Sequence, residues 1–255
     1  QSNDAGNCSA VVNWTPPTAA DNCGVDSMVG DAASGDTFPV GTTTVSYTAT
    51  DIHGNSTTSS FTVTVTDDEA PVISDMPASI TQTADAGQCT ANVTWAAPTA
   101  SDFCGIASFT ADAASGDAFA VGTTTVTYTA TDVHGNIATG SFDITVTDDE
   151  DPAIAGMPSD ITQSNEAGIC GAAVSWIAPT GSDNCTVASL TSTHNSGDTF
   201  EVGNTTVTYT VTDLAGNTAT SSFTVTVTDN EAPVISNIPA DFTVGTFDGL
   251  STAVV

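Results

Sequence analysis

Six cysteines are the residues of this sequence with the clearest chemistry, because they recur at a fixed interval. They form two series with a period of 81 residues (89 − 8 and 104 − 23): Cys8, Cys89 and Cys170, and Cys23, Cys104 and Cys185. The pattern predicts one disulfide within each repeat: Cys8–Cys23, Cys89–Cys104 and Cys170–Cys185. Each would close a loop of about 15 residues and contribute about 3 kcal/mol. Buried free thiols are the alternative, and zinc is disfavoured because no further Cys or His lies nearby at zinc-ligand spacing.

Acidic clusters between the repeats are the second candidate for chemistry. Each cluster stands before an Ala-Pro or Asp-Pro pair, as in the acidic linkers of cadherin-type domains. Carboxylates are preferred ligands of Ca²⁺, so calcium is the expected cofactor at these joints. The predicted ligands are Asp67, Asp68, Glu69, Asp148, Asp149, Glu150, Asp229 and Glu231. The alternative is that these groups are solvated linker charges that keep the chain soluble and extended.

Turn residues next to these clusters could add ligands. The acidic and amide members are the pairs Asp51 and Asn55, Asp132 and Asn136, and Asp213 and Asn217. His53 and His134 occupy the same turn, but the third repeat has Ala215 there, so both histidines are interpreted as ordinary turn residues. No setting for a nucleophile such as G-x-S-x-G occurs, and we expect no enzymatic activity.

Composition narrows the classes of partner. The 255 residues include 30 Asp or Glu and no Lys or Arg, a formal charge of −30. Nucleic-acid binding is excluded because nothing can neutralise phosphates. No apolar run of about 18 residues is present, so no membrane span is expected. Disulfides would indicate an oxidising location, which here means a secreted protein, extracellular or at the cell surface.

The elements that position these residues are short strands. In the second repeat, residues 71–84 and 89–96 are predicted strands, and another is expected near 106–112. The segment 118–132 predicts a short strand, a turn at Gly122 and a long strand, followed by a closing strand at 141–148. Regular turns without helical periodicity are typical of an antiparallel β-sandwich. The predicted fold class is all-β, with tandem immunoglobulin-like sandwiches in an elongated array.

The interior and exterior faces follow from alternation along the long strand. Val126, Tyr128 and Ala130 are predicted to face the core, while the threonines between them face water. Phe142, Ile144 and Val146 are predicted to point inward from the closing strand, and Trp95 to pack on the core.

Several motifs shared by the repeats resemble a known family. They are the opening APVIS…MP, the strand GTTTVTYTATD, the turns VHGN and LAGN, and the closing strand SFTVTVTD. The chain is similar to tandem hyalin-repeat domains, an immunoglobulin-like family of extracellular and adhesive proteins. The resemblance implies an adhesion-related role and supplies no catalytic residue.

The repeat boundaries do not coincide with the ends of the chain. The predicted domains are 1–69, 70–150 and 151–231, followed by a tail at 232–255. The first repeat lacks its opening strand, whereas the tail carries one, APVISNIPADFT at 232–243.

Two interpretations of the ends stay open. In one, the tail completes the first repeat of another copy, which gives an open head-to-tail filament. Its expected assembly residues are Pro233, Val234, Ile235, Ile238 and Phe242. In the other, the chain is a stalk segment of a larger adhesin whose ligand-binding domain lies elsewhere. Self-association is therefore the predicted interaction, with a surface or glycan ligand as a further partner.

Overall fold

The computed structural model describes residues 1–244, and the chain folds there into β-strands without a helix. This confirms the predicted all-β class. The chain divides into two compact units, Gln1–Glu150 and Asp151–Val255. The first two repeats therefore belong to one unit. Within residues 1–244 there is no helix with the length and apolarity needed to span a bilayer.

Each repeat contains its own set of strands. Those of the first repeat are β1 (Ser9–Val11), β2 (Val25–Gly30), β3 (Thr37–Pro39), β4 (Gly41–Asp51) and β5 (Ser56–Val65). Those of the second are β6 (Val72–Ser74), β7 (Ile80–Thr83), β8 (Thr90–Asn92), β9 (Thr99–Ser101), β10 (Ile106–Ala111), β11 (Ala118–Ala120), β12 (Gly122–Asp132) and β13 (Ile137–Thr147). Those of the third are β14 (Ala153–Ala155), β15 (Ile161–Ser164), β16 (Gly171–Ala173), β17 (Thr180–Ser182), β18 (Val187–Ser192), β19 (Thr199–Glu201), β20 (Gly203–Asp213) and β21 (Thr218–Thr228).

The second repeat is built on a four-stranded sheet in the order β10-β12-β13-β7. Its pairs are antiparallel except the last, in which β7 runs parallel to β13. Two short ribbons, β6 with β9 and β8 with β11, accompany this sheet. The third repeat has the same arrangement in β14 to β21.

The opening segment of the second repeat differs from its prediction as one strand over 71–84. It forms two strands, β6 and β7, which belong to different sheets. The break lies at Asp75, whose φ of 60° is left-handed, and Pro77 follows shortly after. A left-handed residue ends the extended run, and proline cannot donate a ladder hydrogen bond. The strand predicted over 89–96 is shorter in the structure, where β8 covers only Thr90–Asn92.

The core confirms the predicted faces of the long hairpin. Val126, Tyr128 and Ala130 are buried, as are Phe142, Ile144 and Val146. Trp95 packs against this core half-buried. Its indole Nε1 donates a hydrogen bond of 2.9 Å to the Tyr128 hydroxyl, which satisfies a polar group that burial would otherwise penalise.

The first repeat has fewer strands around the same hairpin. Its main sheet has three strands, β2-β4-β5, and its only ribbon among the described residues is β1 with β3. A single bridge between Ser2 and Thr66 stands where β7 pairs with β13 in the second repeat. Residues 18–20, the counterparts of β9, form no strand.

Candidate assembly site and repeat junction

A groove opens in the first repeat on the side that the opening segment covers in the second repeat. This first-repeat groove has a volume of about 410 Å³, and Ala19, Met28, Tyr47, Ser59 and Phe61 are among its lining residues. Phe61 is 37% exposed, whereas its counterparts are 5% and 4% exposed (Phe142 and Phe223). Open apolar surface of this kind is typical of a binding site.

In the second repeat the corresponding space is filled by the opening segment. Strand β6 pairs with β9, with Ile73 opposite Ala100. Ile73 and Met76 pack against the core cluster. The sulfur of Met76 would lie 3.2 Å from a Cβ placed on Gly140, which is the counterpart of Ser59 in the groove. A strand with two apolar anchors therefore closes this side of the sandwich.

The tail carries the same anchors two periods later. Ile235 corresponds to Ile73 (235 − 73 = 162), and Ile238 corresponds to Met76 (238 − 76 = 162). Residues 229–244 form no strand, and all of them are exposed. Ile235 is 80% exposed and Ile238 is 72% exposed. The remaining predicted assembly residues, Pro233, Val234 and Phe242, are exposed as well.

The whole opening segment recurs in the tail. Residues 232–243 correspond to residues 70–81 of the second repeat (232 − 70 = 162, two periods). Residues 245–255 of the predicted tail lie outside the described part of the chain.

The predicted pairing of cysteines within each repeat is wrong. Cys8 forms a disulfide with Cys104 of the second repeat, 96 residues away, with a Cα–Cα distance of 4.8 Å. Cys23 and Cys170 are free and exposed. Cys89 and Cys185 are not free, but their predicted partners, Cys104 and Cys170, are respectively bonded elsewhere and unbonded. The loop that carries Cys8 approaches the following repeat. The sequence could not reveal this, because a period of 81 residues is compatible with pairing within a repeat and with pairing between repeats.

The three acids of the first junction point in two directions. The Asp68 carboxylate accepts a hydrogen bond of 2.7 Å from Ser2 Oγ. Glu69 accepts bonds of 3.1 Å from Gly6 N. Both side chains therefore fasten the linker to the first repeat.

Asp67, by contrast, faces the second repeat. Its side chain is 1% exposed, and its Oδ2 lies 3.0 Å from His134 Nδ1. Asn136 Nδ2 donates a bond of 3.2 Å to the Asp67 carbonyl. The turn of His134, predicted to be an ordinary turn, contacts the linker here.

Three carboxylates meet at this junction. Single oxygens of Asp67, Asp102 and Asp132 all lie within 4.8 Å of one another. Asp132 is 1% exposed, and the chain has no Lys or Arg that could neutralise the group. Like charges held this close repel one another, and a cation placed among them would relieve that repulsion.

Hydrogen bonding holds Asp132 in its charged form. Burial raises the pKa of this carboxyl, but bonds from Asn136, His134 and Gly135 outweigh that effect, and the net pKa is lower than the usual 3.8. The Asn136 amide donates to Asp132 Oδ2 at 2.7 Å, and the backbone N–H of Asn136 donates to Oδ1 at 2.9 Å. A carboxylate that stays charged is available to an incoming cation.

The sequence predicts part of this cluster. Asp67 and Asp132 are among the predicted ligands, whereas Asp102 is not. Its signal is the Asp-x-Cys spacing that recurs before the second cysteine of every repeat, at Asp21, Asp102 and Asp183. The Asp102 carboxylate accepts a bond of 2.7 Å from Cys104 N, which ties the cluster to the disulfide.

The acids of the later junctions partly repeat the role of Glu69. Glu150 accepts a bond of 2.8 Å from Gly87 N, and Glu231 accepts one of 2.7 Å from Gly168 N. Asp148 is 9% exposed, while Asp149 and Asp229 are exposed. Calcium at these positions stays a prediction.

Comparison with known proteins places these features in context. A family model for the HYR domain matches residues 1–65, 66–146 and 147–227. Hyalin of Lytechinus variegatus is 43% identical over 241 residues, which cover 91% of this chain and 45% of that protein. Hyalin of Strongylocentrotus purpuratus is 40% identical over 232 residues, which cover 87% of this chain and 19% of that protein. The chain thus spans less than half the length of either relative.

Solved structures give a weaker likeness. The Drosophila N-cadherin EC1-4 structure aligns with a TM-score of 0.32 at 14% identity, over 77% of this chain and 62% of that one. A similarity at this level carries no argument about function.

Proposed function

The chain belongs to the HYR domain family, and we propose that it is a structural subunit of an extracellular, adhesion-related filament or stalk assembled head to tail. In this assembly the tail of one copy fills the first-repeat groove of the next. The role is structural and not enzymatic. The observation that carries the proposal is the match between the open groove and the exposed tail.

The second repeat supplies the template for docking. If the tail adopts the place of β6, Ile235 pairs with Ala19, the counterpart of Ala100. Ile238 then lies over Ser59, where Met76 lies over Gly140 in the second repeat. Adding a strand to an exposed edge is an established mode of recognition, in which backbone bonds give affinity and side-chain pockets give specificity.

The expected strength of this contact is moderate. Burying Ile235 and Ile238 contributes about 1.5–3 kcal/mol each, and ordering the tail offsets part of the gain. The two side chains together contribute at most about 3–6 kcal/mol before that offset, and a net value of about 4 kcal/mol corresponds to a dissociation constant of about 1 mM. Contacts held by the strand alone are therefore expected to dissociate on dilution.

Calcium is proposed as a cofactor that stiffens the junction within the first unit. Asp67, Asp102 and Asp132 would hold the ion, and Asn136 keeps Asp132 charged. Binding would neutralise carboxylates that have no Lys or Arg partner in this chain. Calorimetric titration with CaCl₂ tests this: Asp67→Asn should abolish binding at this junction, while Asp68→Asn should retain it. Equal binding by both variants would contradict the site.

Light scattering after size-exclusion chromatography tests head-to-tail assembly, and negative-stain microscopy shows its form. The full chain should form concentration-dependent oligomers that extend into filaments, and deletion of residues 232–255 should leave monomers. Ile235→Asp combined with Ile238→Asp should have the same effect as the deletion.

Val234→Asp is the matched control for that experiment. Its counterpart Val72 is 60% exposed in β6, so a charge at this position should leave assembly intact. Monomers of the full chain at every concentration would contradict strand donation. They would favour a stalk segment whose groove is filled by other residues of a longer protein.

A further inference from the structure

We propose that Cys170 of one copy forms a disulfide with Cys23 of the next copy, so that the head-to-tail contact becomes covalent. Both cysteines are free and exposed. The inference rests on the proposed strand donation, which brings a first repeat into position after the third repeat of a neighbour.

The two free cysteines occupy positions that correspond to the two cysteines of the Cys8–Cys104 disulfide. Cys170 corresponds to Cys8 (170 − 8 = 162), and Cys23 corresponds to Cys104 (104 − 23 = 81). Cys8 and Cys104 join a repeat to the one that follows it. A docked first repeat follows the third repeat in the same way, and it presents Cys23 where Cys104 stands in the second.

The opening segment fixes this geometry. In the first unit, the linker and β6 hold the second repeat so that the Cα atoms of Cys8 and Cys104 lie 4.8 Å apart, within the range of ordinary disulfides. A tail docked as β6 connects the third repeat to its new neighbour through the same number of residues. The geometry of the first junction is therefore reproduced between copies.

The loop of Cys23 already has the conformation of its bonded counterpart. Cys23 N donates to Asp21 Oδ1 at 2.8 Å, as Cys104 N donates to Asp102 Oδ1 at 2.7 Å. Asn22 Nδ2 also donates to Cys23 Sγ at 3.3 Å. A loop that needs no rearrangement loses little entropy when it binds.

The loop of Cys170 matches its own counterpart equally well. Asn165 Nδ2 donates to the Ile169 carbonyl at 3.1 Å, and Asn3 Nδ2 donates to the Asn7 carbonyl at 2.9 Å. The loops of Cys23 and Cys170 are thus held by the same hydrogen bonds as the loops of the Cys8–Cys104 disulfide.

The chemistry is thiol–disulfide exchange with a low-molecular-weight disulfide such as oxidised glutathione. The Cys170 thiolate attacks one glutathione sulfur, the glutathione S–S bond breaks, and one glutathione thiolate leaves. The Cys23 thiolate of the neighbouring copy then attacks Cys170 Sγ in the mixed disulfide and releases the second glutathione. Two protein thiols are oxidised and one glutathione disulfide is reduced to two thiols, which take up the two protons that the protein thiols lose.

Complementary single variants give the sharpest test. The full chain is exposed to oxidised glutathione and resolved by non-reducing electrophoresis and peptide mass spectrometry. Wild type should give a ladder of covalent oligomers linked Cys23 to Cys170. Cys23→Ser and Cys170→Ser alone should give no such ladder. An equimolar mixture of the two should stop at a covalent dimer, because only one competent junction can form.

Further variants separate this inference from the strand proposal. The ladder should fall at least tenfold in yield in Ile235→Asp with Ile238→Asp and be retained in Val234→Asp. If the Cys23→Ser, Cys170→Ser double variant still assembles but wild type forms no Cys23–Cys170 bond, the disulfide is wrong and strand donation stands. Homotypic Cys23–Cys23 or Cys170–Cys170 links, or a Cys23–Cys170 bond within one chain, would also overturn the inference.

Discussion

The first and second repeats share the hairpin that dominates each core, β4 with β5 in one and β12 with β13 in the other. The hairpins pair in the same register, with Val45 opposite Phe61 and Val126 opposite Phe142. Yet Phe61 is 37% exposed and Phe142 is 5% exposed. The difference comes from β6 and β7, which only the second repeat has, and not from the hairpin itself.

In the second repeat, the opening segment covers one side of the hairpin core. In the first repeat the hairpin pairs with one further strand, β2, and β1 pairs with β3, while the groove exposes part of the core. In the proposed assembly, the tail of another copy would cover this exposed part of the core.

The largest expected contrast is between the two phenylalanines. Phe142→Ala should lower the local free energy of unfolding by about 3–5 kcal/mol, as for a buried aromatic side chain. Phe61→Ala should cost about 1–2 kcal/mol in the monomer, because water already reaches this ring. Hydrogen exchange of peptides from β12–β13 and β4–β5 measures both values. Equal losses would contradict the claim that the first core is open.

A smaller contrast is expected for the Trp–Tyr hydrogen bonds. Tyr128→Phe leaves the Trp95 indole N–H without its buried acceptor and should cost about 1–3 kcal/mol. Tyr47→Phe removes the equivalent 3.0 Å bond from Trp14, but Tyr47 lines the groove and water can replace the hydroxyl. Its cost should be below about 0.5 kcal/mol in the monomer. Urea denaturation monitored by hydrogen exchange measures both costs. A larger cost for Tyr47→Phe than for Tyr128→Phe would refute the open groove.

The smallest expected effect is on the pH of acid unfolding, which depends on Asp51 in the first repeat and on Asp132 in the second. Asn55 is the main cause that lowers the pKa of Asp51, while Asn136 offsets the burial that raises the pKa of Asp132. A lowered folded pKa contributes stability above the ordinary value of 3.8, and this stability is lost as the pH falls through the lowered pKa. Asn136→Ala and Asn55→Ala should therefore shift acid unfolding to higher pH in their own repeats. Exchange measured along an acid titration tests this, and a shift to lower pH would contradict it.

Much of the fold could be predicted from the residues. The alternation in residues 118–132 indicated β11, the turn at Gly122 and β12, and it placed Val126 and Tyr128 inside. Periodicity of two reports which side of a strand is buried. It does not report the left-handed Asp75 that splits β6 from β7.

The junction was harder to predict for a physical reason. The spacing between Cys8 and Cys23 favoured a short loop, yet the bond joins Cys8 to Cys104. Sequence separation does not reveal which loops of successive repeats meet. For the same reason, Asp102 was overlooked although it lies beside Cys104 and within reach of Asp67.

Hydrogen exchange of residues 18–24 at increasing protein concentration tests the central claim most directly. Docking of a tail would turn residues 18–20 into the counterpart of β9, with new backbone hydrogen bonds. Exchange of this segment should slow with concentration in wild type and in Val234→Asp, but not in Ile235→Asp with Ile238→Asp. Exchange that is independent of concentration in wild type would contradict strand donation.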